Sequence, residues 1–154
     1  MKSLLCCVIL LAAVVLLPSA AHAELRRAEF ALPGMDCVYC NGAMSTAVKK
    51  LDGVESVELA ADKGLAVIRL KADNKITLQQ LRRVIKSVGY DAKTATITAR
   101  GRFAEGGSTF DLLNGAVLQV ADARRDATGA IVEITGTARP GEQDAEILTI
   151  TAVR

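Results

Sequence analysis

Between residues 26 and 96 the apolar positions switch between a period of two and a period near 3.6, in the order strand, helix, strand, strand, helix, strand. Residues 28–32 read as a short strand. Met44, Val48 and Leu51 then recur at spacings of four and three, which puts one apolar stripe on a helix over about 39–51. Asp52-Gly53 closes that helix in the manner of a C-cap glycine, and Val54, Val57 and Leu59 begin a strand. Asp62-Lys63-Gly64 is a hairpin turn, since glycine supplies the positive φ. Residues 65–71 return with Ala66, Ile68 and Leu70 on one face and Val67, Arg69 and Lys71 on the other. A second helix starts near Thr77, whose hydroxyl can cap it, and carries Leu78, Leu81, Val84, Ile85 and Val88 on one side. Gly89 stops it, and residues 90–96 form the last strand. Two helices covering one face of a four-stranded antiparallel sheet is the economical packing of these elements, the split β-α-β arrangement of the ferredoxin-like class.

From residue 97 onward the period stays at two. Residues 97–103, 109–113, 116–121, 130–138 and 146–153 each read as strands, separated by Asn114-Gly115, Thr128-Gly129 and Pro140-Gly141. Asn114-Gly115 is the sharpest of these signals, both residue types accepting positive φ in a tight hairpin. Five short strands in so little chain predict a small closed barrel of the oligonucleotide-binding (OB-like) type, a statement about shape and not about ligand. Glu105-Gly106-Gly107-Ser108 reads as a turn between strands. The chain as a whole is therefore α+β.

The first 23 residues follow another logic. Lys2, an uncharged run over residues 4–17 and Ala21-His22-Ala23 are the n-region, h-region and cleavage signal of an exported protein. The apolar run falls short of the roughly 20 residues of a membrane span, and an uncleaved anchor is the alternative. Cys6, Cys7 and His22 leave with the leader. The expected organisation is a cleaved signal peptide at 1–23, a first domain at 24–96 and an all-β domain at 97–154, exported to an oxidising compartment, the bacterial periplasm, with no membrane insertion after cleavage.

Cleavage takes away one of 19 basic residues, leaving 18 against 17 acids. With no basic stripe, two tyrosines, three phenylalanines and no tryptophan, nucleic acid is excluded as a partner. With no histidine left there is no triad or general base, and no phosphate-binding loop is present. A non-enzymatic role is expected. Lys49-Lys50 and Arg82-Arg83 fall on the polar faces of the two helices and read as solvated surface, available to guide an acidic partner.

The chemistry that remains is Gly34-Met35-Asp36-Cys37-Val38-Tyr39-Cys40, where the first strand meets the first helix. Free backbone N–H groups and the positive end of the dipole there favour thiolate over thiol. This stretch, with Met44, Val48, Leu51, Gly53-Val54, Lys63-Gly64 and Gly89-Tyr90 at fixed offsets, resembles the heavy-metal-associated domain of copper chaperones, metal-pumping ATPases and the periplasmic mercury-binding protein, over about residues 27–96. The resemblance implies that Cys37 and Cys40 bind one soft metal ion, that Met35 is an apolar peg under the loop, and that Tyr90 approaches from the opposite loop. Two thiolates alone suit Cu(I) or Hg(II), which are content with few ligands. Zn(II) wants four. Asp36 resembles the third ligand of zinc, cadmium and lead transporter arms, or else is an acid placed against the helix dipole. Tyr39 either shields the metal from water or is an ordinary surface tyrosine.

The expected function is capture of a soft ion and its transfer by thiolate exchange to a metal transporter or another metal-accepting protein. Two other readings use the same residues. A thiol-disulfide exchanger also places Cys-x-x-Cys at a helix start, but the element order is wrong for it and none of Pro18, Pro33 and Pro140 would face such a site. In an adaptor, the β domain would carry the main role. A structural disulfide across so short a loop would close little chain entropy.

Overall fold

The computed structural model describes residues 24–35, 38–112, 114–124 and 129–154, with the side chains of 38–40 outside the description. The leader with Cys6, Cys7 and His22 lies outside the described residues, as do Asp36, Cys37, Leu113 and Thr128. The elements are β1 (Leu25–Ala31), α1 (Val38–Lys49), β2 (Val54–Ala60), β3 (Leu65–Leu70), α2 (Leu78–Ser87), β4 (Ala95–Phe103), β5 (Thr109–Asp111), β6 (Val117–Val120), β7 (Ile131–Pro140) and β8 (Glu146–Val153). Among the described residues no helix is long and apolar enough to cross a membrane.

The first four strands lie in the order β2-β3-β1-β4, antiparallel throughout, which is the ferredoxin-like βαββαβ sheet. Register puts Ala28 opposite Ile68 and Ile97, and Phe30 opposite Ala66 and Ala95, so one face presents only apolar side chains. All of these are buried with Met44 and Val48 of α1 and Leu78, Leu81 and Ile85 of α2. Burial of that stripe is what holds helices of ten and twelve residues, too short to be stable alone. Thr77 starts α2 with a full capping box: its Oγ1 accepts from the Gln80 amide at 3.2 Å, and Gln80 Oε1 accepts from the Thr77 amide at 2.9 Å. The turn before β3 is a short 3-10 segment, Ala61–Lys63, ended by Gly64 at φ 59°, whose carbonyl also accepts from the Leu32 amide at 2.7 Å.

The strands expected at 90–96 and 97–103 are one strand, β4, and residues 91–94 are irregular. The reason lies in its flanks. On one side β4 pairs first with β1, through 95–99, and then with β5, through 102–103. On the other it pairs with β7 along all but its last residue, Ala95 opposite Ala138 through to Arg102 opposite Ile131. Ring closure follows in the order β4-β5-β6-β8-β7-β4, with β6 and β8 parallel and every other pair antiparallel. Phe103 and Phe110 meet edge to face in its core, 5.0 Å between centroids. At Gly101, where β4 leaves β1 for β5, a Cβ would stand 2.5 Å from the Asp111 carbonyl oxygen and 2.6 Å from the Phe110 ring, so only glycine allows the crossing.

Ferredoxin-like sheet and barrel share one apolar core through β4. Polar groups seal the seam. Asn114, expected only as a turn residue beside Gly115 (φ 88°), accepts from the Ala116 amide at 3.1 Å and donates to the Ile76 carbonyl at 3.3 Å, tying the β5–β6 hairpin to the start of α2. Gln79 donates to the Asp144 carbonyl in the β7–β8 turn.

Arg82 corrects the sequence reading. Expected in solvent, its side chain is 12% exposed and that of Glu146 6%, because β8 lies against this side of α2. Its Nε donates to Glu146 Oε1 at 2.7 Å and its Nη2 to Oε2 at 3.0 Å, the two-pronged geometry a guanidinium favours. Arg83, Lys49 and Lys50 are exposed as expected.

Candidate metal centre

The β1–α1 connection starts from a buried residue, Leu32, passes Pro33 and Gly34 at the surface, and returns to the core at Met35, which is 1% exposed. Gly34 makes that return at φ 82°, a conformation that costs glycine little. Met35 is therefore an apolar anchor at the near end of the loop. At the far end, helix α1 begins at Val38, which puts the Cys40 backbone in the first turn, where amides have no intrahelical acceptor. Asp36 and Cys37, between the two, and the side chains of Tyr39 and Cys40 lie outside the described residues.

Tyr90 comes to this loop from the other side of the domain. Gly89, at φ 93°, ends α2 and lets the chain turn, and the Tyr90 amide donates back to the Ile85 carbonyl at 3.2 Å. The ring is buried, and its hydroxyl donates to Asn41 Oδ1 at 3.2 Å. Asn41 Nδ2 in turn donates to the Met35 carbonyl at 3.4 Å. That second bond fixes the amide orientation, because only the NH2 group can donate to a carbonyl. One side chain thus ties both ends of the Cys-x-x-Cys segment to Tyr90.

Asn41 was not picked out from the sequence. It sits three residues before Met44 and seven before Val48, on the apolar stripe of α1, and a polar residue at such a position was the available signal. Beside the loop a shallow cleft of about 370 Å³ opens between Ala31, Pro33, Asp91, Lys93 and Thr94. Its charged pair, Lys93 and Asp91 at 3.4 Å, is solvated and adds little net charge to the cleft.

Fold and loop define a ferredoxin-like domain with Cys-x-x-Cys where its first strand meets its first helix. The profile of the heavy-metal-associated domain matches residues 29–91, and the chain belongs to that family. It is 38% identical over 61 residues to the copper chaperone CopZ of Staphylococcus haemolyticus, covering 39% of this chain and 87% of the relative. With the CopZ of Staphylococcus saprophyticus it shares 35% over 60 residues, 39% and 87% of the two chains. A solved CopZ metallochaperone aligns at TM-score 0.40 and 28% identity, over 42% of this chain and 96% of that one.

Proposed function

We propose that this protein captures one soft metal ion between Cys37 and Cys40 and hands it to a metal-accepting partner, such as a membrane metal transporter. What supports the reading is the Cys-x-x-Cys sequence that follows the buried Met35 and runs into the first turn of α1, within a heavy-metal-associated domain. Its relatives being copper chaperones favours Cu(I) as cargo, with Hg(II) next on ligand chemistry alone.

Transfer follows from low coordination. A thiolate of the partner adds to the two-coordinate ion, giving a three-coordinate intermediate, and one of the two cysteine–metal bonds then breaks. A second partner thiolate repeats the exchange and breaks the remaining cysteine–metal bond. The metal keeps its oxidation state throughout, and each displaced cysteine either stays a thiolate or takes up the proton that the incoming partner thiol released on ionising. Each step exchanges one ligand for a like one, so tight binding and rapid hand-over coexist. The protein acts as a carrier and not as an enzyme. Export to the periplasm rests on the leader at 1–23. We read the barrel as OB-like on its ring order and its single parallel pair, β6 with β8.

The test is competition of the reduced chain for Cu(I), Hg(II) and Zn(II) against chelators. The expected result is one tightly held Cu(I) or Hg(II) per chain, lost in the Cys37→Ser/Cys40→Ser double variant. No competitive binding of any ion, together with a readily reduced disulfide, would overturn the reading in favour of a redox pair.

A further inference from the structure

We propose that the barrel positions the metal loop and that Arg82 carries the connection; this rests on the metal-binding reading above. Four of the five guanidinium N–H groups are accounted for, and they point to two different bodies. Toward the barrel, Arg82 holds the Glu146 carboxylate with two bonds and the Ala138 carbonyl of β7 at 3.1 Å. Toward the metal domain, its Nη1 donates to the Ala92 carbonyl, two residues beyond Tyr90. Its carbon centre also lies 5.5 Å from the centroid of the Phe30 ring, on the strand that runs into the loop.

Each contact on the metal-domain side reaches one flank of the Cys-x-x-Cys segment. Ala92 belongs to the irregular stretch after α2, which no strand pairing holds and which carries Tyr90. Tyr90 fixes Asn41, and Asn41 fixes the Met35 carbonyl. Phe30 reaches the same loop through β1. Glu146 sets where Arg82 stands: a guanidinium held by a fork at 2.7 and 3.0 Å has little rotational freedom, and a lysine could not reproduce it. Arg82, Asn41 and Tyr90 are positioning residues on this account, and the barrel is the rigid body against which they are set.

The experiment uses the full chain with Glu146→Gln, which keeps shape and one acceptor oxygen, and Tyr90→Phe, which keeps the ring. Amide spectra of the reduced, metal-free protein give a readout independent of metal. Glu146→Gln is expected to move the resonances of Gly34, Met35, Asn41 and Gly42 as well as that of Ala92. Changes confined to α2 and the barrel would overturn the proposal whatever the metal data show. In Cu(I) competition, Glu146→Gln should weaken binding by about two- to thirtyfold, and by less when Tyr90 is already phenylalanine. Unchanged affinity in Glu146→Gln would remove the positioning role, and an undiminished loss in the double variant would remove the route through Tyr90. A wild-type chain that binds no Cu(I) but shows the loop shifts would refute the metal reading and leave the coupling standing.

Discussion

Arg82 and Glu146, 64 residues apart in sequence, form a two-pronged ion pair that is almost entirely withdrawn from water. Removing one member leaves the other charged and buried, which is far costlier than losing a surface bridge. Arg82→Met is expected to lower the unfolding free energy by about 3 kcal/mol, with the Ala92 and Ala138 carbonyls losing their donor as well. Urea denaturation checks it, and a loss within error of zero would mean that water replaces the pair without cost.

Two glycines should respond in opposite senses. Gly101→Val drives a branched side chain into the Asp111 carbonyl and the Phe110 ring and should cost about 1–3 kcal/mol or prevent folding. Gly42, in α1, has open space where its Cβ would go, so Gly42→Ala should stabilise by about 0.5–1 kcal/mol through the helix alone. Thermal melts of both variants suffice.

Thr77→Ala removes half of a reciprocal cap at the start of α2 and should cost about 1 kcal/mol. Thr77→Ser, which keeps the oxygen, should recover most of it in the same denaturant titration.

The two roles open to Asp36 separate by metal. If it is a third ligand, Asp36→Ala should weaken Zn(II) binding at least about tenfold while leaving Cu(I) affinity nearly unchanged. If it only complements the helix dipole, the loss should be small and similar for both ions. Chelator competition with each ion decides between them.

Much of this was legible because burial on one face writes a period into the chain. Ala66, Ile68 and Leu70 on β3, and Leu78, Leu81 and Ile85 on α2, are buried where the pattern placed them. The errors came where a residue's partner lay far along the chain. Arg82 is four residues after Leu78 and three before Ile85, on the buried side of its helix, yet its charge argued for solvent until Glu146 supplied a counterion. Ala95, Ile97, Ala99, Gly101 and Phe103 alternate without a break, the mark of one strand, but two separate strands were expected because each half completes a different fold. At the loop, the resemblance names Met35 and Tyr90, and both are buried. Asn41, which joins them, belongs to no motif quoted from the sequence.

A strand that serves two sheets also sets an order of assembly. A nascent chain emerging N-terminus first has every strand of the ferredoxin-like sheet once it reaches Phe103, with β1 already paired on one flank of β4. The other flank waits for Ile131–Pro140. Until those residues emerge, the cell holds a nearly finished ferredoxin-like domain with the long edge of β4 open to any passing strand. Protecting that edge, and not forming the metal domain, is the vulnerable interval in this protein's biogenesis.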